Sequence, residues 1–225
     1  MQGMLGLPQP PQRLEAYDIS NTAGTDIVAS MVVYVDGRPC KKDYKHFKVE
    51  GLRDQDDYAS MKQVLERRFA HFLAGDAGFS DRPDALLIDG GVEHAKIAEE
   101  VVREFALDIP VYGMVKDDHH RTRAIVDSEG REIAINMNRG TFTFITAIQD
   151  ETHRFANAYR KQQMKQKSYS STLTEIPGIG PKTAKALMAQ FKSVTAVKEA
   201  TPDQLENTPG VGKQTAQIIY AYFHE

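Results

Sequence analysis

The stretch DALLIDGG, residues 84–91, places a carboxylate at the end of an apolar run and follows it at once with two glycines. Four apolar residues closed by a turn signal read as a short buried strand. An ionised group after such neighbours is costly unless it is paired or binds a metal. Asp89 is therefore either a turn-closing residue or a ligand. The same pattern occurs upstream in RLEAYDIS, residues 13–20, where Asp18 follows Ala16 and Tyr17. There the plain alternative is a cap on the loop that follows.

The remaining elements are read outward from these two strands. ASMVVYVDGRPCKKDYKHFKV, residues 29–49, predicts two strands joined at Asp36-Gly37, a strong hairpin signal. An amphipathic helix runs from Asp57 to Ala74, with Tyr58, Met61, Leu65, Phe69 and Phe72 on one stripe. A second helix, EHAKIAEEVVREF (93–105), turns Ala98, Val101, Val102 and Phe105 inward. IPVYGMV (109–115) is a short buried strand, RAIVDSEGREIAI (123–135) a second hairpin, and a last helix starts near Ile148. Three antiparallel strands followed by βα units predict an α/β domain, a mixed five-stranded sheet with helices on its faces. This order resembles that of ribonuclease-H-like folds, in which the first strand and the strand after the first helix lie side by side. Asp18 and Asp89 then converge. Hard oxygen ligands suit Mg²⁺ or Mn²⁺.

DETHRFA, residues 150–156, lies in the last helix. His153 shares a polar face with Asp150, Asn157 and Arg160, at helical spacing, while Ile148, Phe155 and Tyr159 form the packing stripe. A polar-face histidine is ordinarily just solvated. In this fold the last helix packs beside the two central strands, which turns His153 toward the acids as ligand or proton-transfer group. Arg160 and Lys161 are placed to hold flanking phosphates. They belong to a basic run, Arg154, Arg160, Lys161, Lys165 and Lys167, that holds no acid. Asp57 opens the first helix and has two readings, helix-start chemistry or a supporting acid of the metal site. VKDDHHRTRA (115–124) contains Lys116, Asp117, Asp118, His119 and His120. Without a second cluster at zinc spacing it reads as a mobile polar loop that touches substrate.

The C-terminus repeats itself. LTEIPGIGPKTAKALMAQF (173–191) aligns with LENTPGVGKQTAQIIYAYF (205–223) at a constant offset of 32 residues. Each unit is a helix, a PGxG turn and a second helix. Gly178, Gly180, Gly210 and Gly212 allow positive φ or close approach of another chain, and a helix start behind the turn favours an anion. Lys182 and Lys213 follow the turns, and Thr183 and Thr215 open the helices. Such a pair grips a duplex backbone without reading its sequence. A packing repeat for protein contact is the alternative.

Domain limits follow: an extended N-terminal arm over 1–13, an α/β domain over 14–167, and a small all-α domain over 168–225 beginning in the polar KQKSYSST (165–172). Net charge is −3 and only local patches are basic. One cysteine, Cys40, precludes a disulfide within the chain, so a reducing cytoplasm is expected. No membrane-spanning run or secretory signal is seen.

The motifs EAYDISNTAGTDIVASMVVYVDGRP, DDYASM, LLIDGG, DETHRFA and the doubled PGIGPK/PGVGKQ together resemble the C-terminal half of the UvrC family, the nuclease subunit of bacterial nucleotide excision repair. The resemblance covers nearly the whole chain. It implies a ribonuclease-H-like endonuclease domain followed by a tandem helix-hairpin-helix domain. It implies incision 5′ to a lesion in double-stranded DNA, in an assembly with UvrB, within the DNA-damage (SOS) response. By motif, Asp18, Asp89 and His153 become the catalytic and metal-binding trio, with Asp57 a further acidic position. A histidine replaces the usual last-helix carboxylate of ribonuclease-H enzymes, which leaves the metal count open. The upstream GIY-YIG domain and UvrB-contacting motif of the family are missing, so a monomeric fragment without 3′ incision is expected. Two rivals stand beside this reading: another ribonuclease-H-like nuclease such as a junction resolvase, and a non-catalytic DNA clamp.

Overall fold

A computed structural model describes residues 1–22, 26–51, 56–117 and 122–224. The chain forms two compact units, Met1–Arg160 and Lys161–Glu225. The first holds a mixed sheet which, among the described residues, has eight strands: β1 (Arg13–Thr22), β2 (Asp26–Val35), β3 (Arg38–Pro39), β4 (Lys45–Lys48), β5 (Ala85–Asp89), β6 (Val111–Lys116), β7 (Thr122–Val126) and β8 (Glu132–Ile133). Their order is β3-β2-β1-β5-β6-β7-β8, with β4 also paired to β2. The β1–β5 and β5–β6 pairs are parallel and the other pairs antiparallel.

The expected five-stranded core is present, and its edges are more divided than the sequence suggests. Asp36 and Gly37 turn with φ of 49° and 74°, as a two-residue hairpin requires. The returning strand then breaks at Cys40–Tyr44, where Lys41–Asp43 form a single 3₁₀ turn, and pairing resumes as β4. Arg13 explains the break. Its Nη1 lies 2.8 Å from Asp43 Oδ2, an anchor that holds the 3₁₀ turn off the sheet edge.

Strand alternation gives the sheet two faces. On one, Tyr17, Leu86 and Ile88 pack with Met61, Leu65 and Phe69 of α1 (Asp57–Leu73) and Ala98, Val101 and Val102 of α2 (Val92–Glu104). On the other, Leu14, Ala16, Ala85 and Leu87 pack with Ile145 and Ile148 of α3 (Arg139–Thr174). Tyr58 departs from its expected stripe. It sits in the first turn of α1 and is 45% exposed against the ring of His94. Helix α3 begins nine residues before the expected start near Ile148. Asn138 Oδ1 accepts from the Thr141 amide and so supplies a start signal, one that Gly140 and the β-branched Thr141, Thr143 and Ile145 conceal in a propensity reading.

The first residues are coiled rather than an extended arm. The amides of Met4 and Leu5 both donate to the Met1 carbonyl. Leu5 is buried in the α3-side core and its carbonyl accepts from Tyr112 Oη at 2.6 Å. The apolar side chains of Met4 and Leu5 outweigh the Pro/Gln composition that follows them.

Beneath α1 lies a buried ionic network. Glu15 and Arg68 are both 0% exposed. Arg68 grips the carboxylate with Nη2 at 2.7 Å from Oε1 and Nε at 3.1 Å from Oε2, and donates to the carbonyls of Phe79 and Asp81. Tyr17 Oη donates to Glu15 Oε2 at 2.7 Å, and Arg13 Nε reaches Oε1 at 3.2 Å.

The second unit packs α4 (Pro181–Phe191), α5 (Val194–Glu199), α6 (Pro202–Glu206) and α7 (Lys213–His224) around Leu173, Ile176, Leu187, Leu205 and Ile219. The two PGxG turns match in detail. Gly178 and Gly210 have φ of 81° and 83°, Ile179 and Val211 are buried at 4% and 5%, and the Ala184 and Ala216 amides close the first helical turns on the Gly180 and Gly212 carbonyls.

Candidate metal centre

Asp18 and Asp89 lie on the α3 face of the sheet, in step with Leu14 and Ala16 on one strand and Ala85 and Leu87 on the other. The parallel register of β1 and β5 runs to Tyr17↔Ile88, and one further step sets the two acids side by side. His153 enters from α3 above them. Its Nε2 is 3.3 Å from Asp89 Oδ2 and its Nδ1 4.0 Å from Asp18 Oδ1. One ligand atom from each of the three residues falls within 4.8 Å of the others.

The site carries a deficit of positive charge. Burial, and then repulsion from Asp89, push the Asp18 carboxyl up to about 6, against a lowering hydrogen bond from Ser20 Oγ. His153 Nε2 is buried and makes no hydrogen bond, although it lies beside a carboxylate oxygen. Two carboxylates and an orphaned imidazole nitrogen are the donor set of a divalent cation. A cation would favour the ionised form of Asp18 and give Nε2 a partner, so the residues fit such a group.

Asp89 is held by residues that the sequence did not assign to this site. Gln149, 2% exposed, donates from Nε2 to Asp89 Oδ1 at 2.8 Å. Its own oxygen accepts from Thr122 Oγ1, which fixes the amide orientation. Lys116, expected in a loop, is the last residue of β6, and its Nζ lies 3.0 Å from both Asp89 oxygens. Asp118, His119 and His120 of the same motif lie outside the described residues. A buried glutamine in an amphipathic helix has no local signature. Only strand order reveals it.

The turn after Asp89 depends on bare backbone. A Cβ on Gly113 of β6 would meet the Gly90 carbonyl at 2.5 Å and the Gly91 carbonyl at 2.9 Å, and one on Gly90 would meet the His94 ring at 2.6 Å.

Asp57 does not join the three-residue cluster. It is the first residue of α1, on the opposite face of the sheet, and the capping role falls to Asp56, whose Oδ1 accepts from the Ala59 amide at 2.9 Å. Asp57 Oδ1 is buried without a hydrogen-bond partner. Arg160 and Lys161 are exposed. Arg154 of the basic run is instead paired with Glu151.

In the second unit Gly178, Gly180, Gly210, Gly212, Lys182 and Lys213 are exposed, and Thr183 and Thr215 are half-buried. The two lysines are not equivalent, since Lys213 stands at the repeat position of Pro181. A Cβ on any of the four turn glycines would meet nothing within 4 Å. The fold itself thus leaves these positions open to another molecule. Gly180, at φ −86° and ψ 171°, also has a backbone that any residue adopts.

Together, the sheet order and this cluster define a ribonuclease-H-like domain with an Asp–Asp–His centre, followed by a tandem helix-hairpin-helix domain. Residues 2–157 match the UvrC RNAse H endonuclease domain family, and residues 170–225 match the SAM-like helix-hairpin-helix tandem. The chain belongs to the UvrC family. It is 42% identical over 240 residues to the UvrABC system protein C of Acetivibrio thermocellus, covering 100% of this chain and 38% of that one. It is 45% identical over 226 residues to the same-named protein of Thermoanaerobacter pseudethanolicus, covering 95% and 36%. The chain thus spans little more than a third of these relatives. Among solved structures, Ciona intestinalis Endonuclease V in complex with an inosine-containing DNA overlaps 50% of this chain and 49% of its own, at 11% identity and a TM-score of 0.37. That overlap is too slight to carry a site or an activity across. Among the described residues, no helix is long and apolar enough to cross a membrane.

Proposed function

We propose that this chain is the part of an excision-repair nuclease that cuts damaged double-stranded DNA 5′ to the lesion, using Mg²⁺ or Mn²⁺ and working with UvrB. The observation that supports this most is the convergence of Asp18, Asp89 and His153 from three separate elements, with a buried, unpaired nitrogen among them. Membership of the family and the paired hairpin turns support DNA as the substrate. A reducing cytoplasm suits a single free cysteine, and the chain is expected to be a monomer.

Asp18 and Asp89 would hold the cation with His153 as third ligand or as proton-transfer group. When bound, such an ion polarises the scissile phosphate and lowers the pKa of an attacking water. Asp89 presents one fixed carboxylate edge because Gln149 holds the other oxygen. The sheet floor and α3 keep bulk water from the two acids, which strengthens their hold on positive charge. Arg160 and Lys161 take flanking phosphates. The hairpin turns grip the duplex backbone at Gly178–Lys182 and Gly210–Lys213, with Thr183 and Thr215 at the helix starts.

The test is nicking of a lesion-bearing duplex, with UvrB present and the cut mapped on a sequencing gel. Mg²⁺ or Mn²⁺ supports a cut 5′ to the lesion, whereas Ca²⁺, with looser geometry, does not. Burial pushes the Asp18 carboxyl up to about 6, so a proton competes with the ion near that pH. The rate at limiting metal therefore falls as pH drops through that value. Equal cutting in Ca²⁺ would defeat the metal role.

Gly180→Val together with Gly212→Val probes the second unit. Open space at both sites leaves folding intact. Duplex affinity falls about tenfold, the loss of one to two kcal/mol of backbone contact, with the salt dependence nearly unchanged because no charge is removed. Binding equal to that of the unsubstituted chain in a fluorescence titration would remove these turns from the interface.

A further inference from the structure

Asp89 has more partners than a simple ligand needs. Gln149 occupies Oδ1, and it cannot swing away because its own oxygen is held by Thr122. That leaves Oδ2 as the edge turned to His153 Nε2, at 3.3 Å. Lys116 Nζ now touches both oxygens at 3.0 Å. Its side chain is 28% exposed and that of Asp89 10%, so the lysine reaches in from the solvent side on a flexible stem.

We propose that Lys116 is the centre's resident countercharge, which holds Asp89 until a divalent cation binds and then turns its ammonium to a phosphate of the DNA strand. This rests on the metal-nuclease reading above. A doubly charged ion at Asp18 and Asp89 neutralises both carboxylates and repels a neighbouring ammonium. Among the described residues Lys116 is ion-paired with Asp89; once the cation takes that carboxylate, the anion that a nuclease substrate brings to this place is a phosphodiester. Two carboxylates, one divalent ion, one lysine and one phosphodiester sum to zero. The phosphate meets a second positive centre without a second metal ion. No atom is transferred to or from the lysine, and only its partner changes.

The experiment is a Mn²⁺ titration by electron paramagnetic resonance on the intact chain, followed by duplex binding in Ca²⁺ and in EDTA. Lys116→Met removes the competitor, so Mn²⁺ affinity rises on the order of tenfold. Lys116→Arg keeps the charge and stays close to the unsubstituted chain. Ca²⁺ tightens duplex binding of the unsubstituted chain, and this gain disappears in Lys116→Met. A lysine that merely braces Asp89 gives the opposite result, with Lys116→Met binding Mn²⁺ equally or more weakly and keeping the Ca²⁺ gain. That outcome overturns the inference while the metal site stands. If no form binds Mn²⁺, the metal reading falls and the inference with it.

Discussion

Asp89→Ala reduces nicking of a lesion duplex by roughly 10³-fold or more, the rate equivalent of several kcal/mol of charge stabilisation from a cation. Duplex affinity stays within about threefold, because phosphate contacts elsewhere do most of the holding. Asp18→Ala and His153→Ala behave alike, since each supplies one of three converging ligand atoms. The measurement pairs a single-turnover nicking rate with a binding titration. Normal nicking by Asp89→Ala would end the catalytic assignment. Asp57→Ala separates two roles for the remaining acid. Its carboxylate lies outside the cluster, so it spares Mn²⁺ binding whatever it does to the rate.

Arg68→Ala is the largest expected loss of stability. The guanidinium is fully buried, bidentate to a fully buried Glu15, and also bonded to two carbonyls. Removing one partner strands the other's charge in the interior, at a cost of about 3–5 kcal/mol. Arg13 remains 3.2 Å from Glu15 and offsets part of this. Urea unfolding followed by circular dichroism reads the effect as a lower midpoint with an unchanged slope. The pair Arg68→Met with Glu15→Leu recovers much of the loss, because two apolar groups of similar volume leave no charge unpaired. A single-variant loss below 1 kcal/mol would mean that water reaches Glu15.

Much of the three-residue cluster could be read in the chain because the rules that place it are local. Period-two alternation puts Asp18 and Asp89 on one face, and the 3.6-residue period puts His153 on the polar side of its helix. The helix-hairpin-helix pair was legible for a similar reason, since repeated glycines expose an offset. What escaped was whatever depends on elements distant in sequence. Gln149 holds Asp89 across 60 residues, and Thr122 holds Gln149 across 27. Glu15 and Arg68 lie 53 apart, and although Arg68 falls at helical spacing from Leu65 and Phe72, no local rule names its partner. The divided edge at Cys40–Tyr44 was hidden as well, because the Arg13–Asp43 contact that breaks the strand is itself long-range.

Gly113 does no chemistry, but the carbonyls of Gly90 and Gly91 rest on the space where its side chain would be. In a saturation screen for loss of function, this position would score with the acids. Even alanine there pushes on backbone rather than on a movable side chain, and the displacement passes straight to the residue before the turn, Asp89. A map of mutational tolerance would therefore mark as essential a residue that no substrate ever meets. Engineering of this centre is free to vary the exposed surface of α2, and must leave untouched the one strand position in β6 where nothing projects.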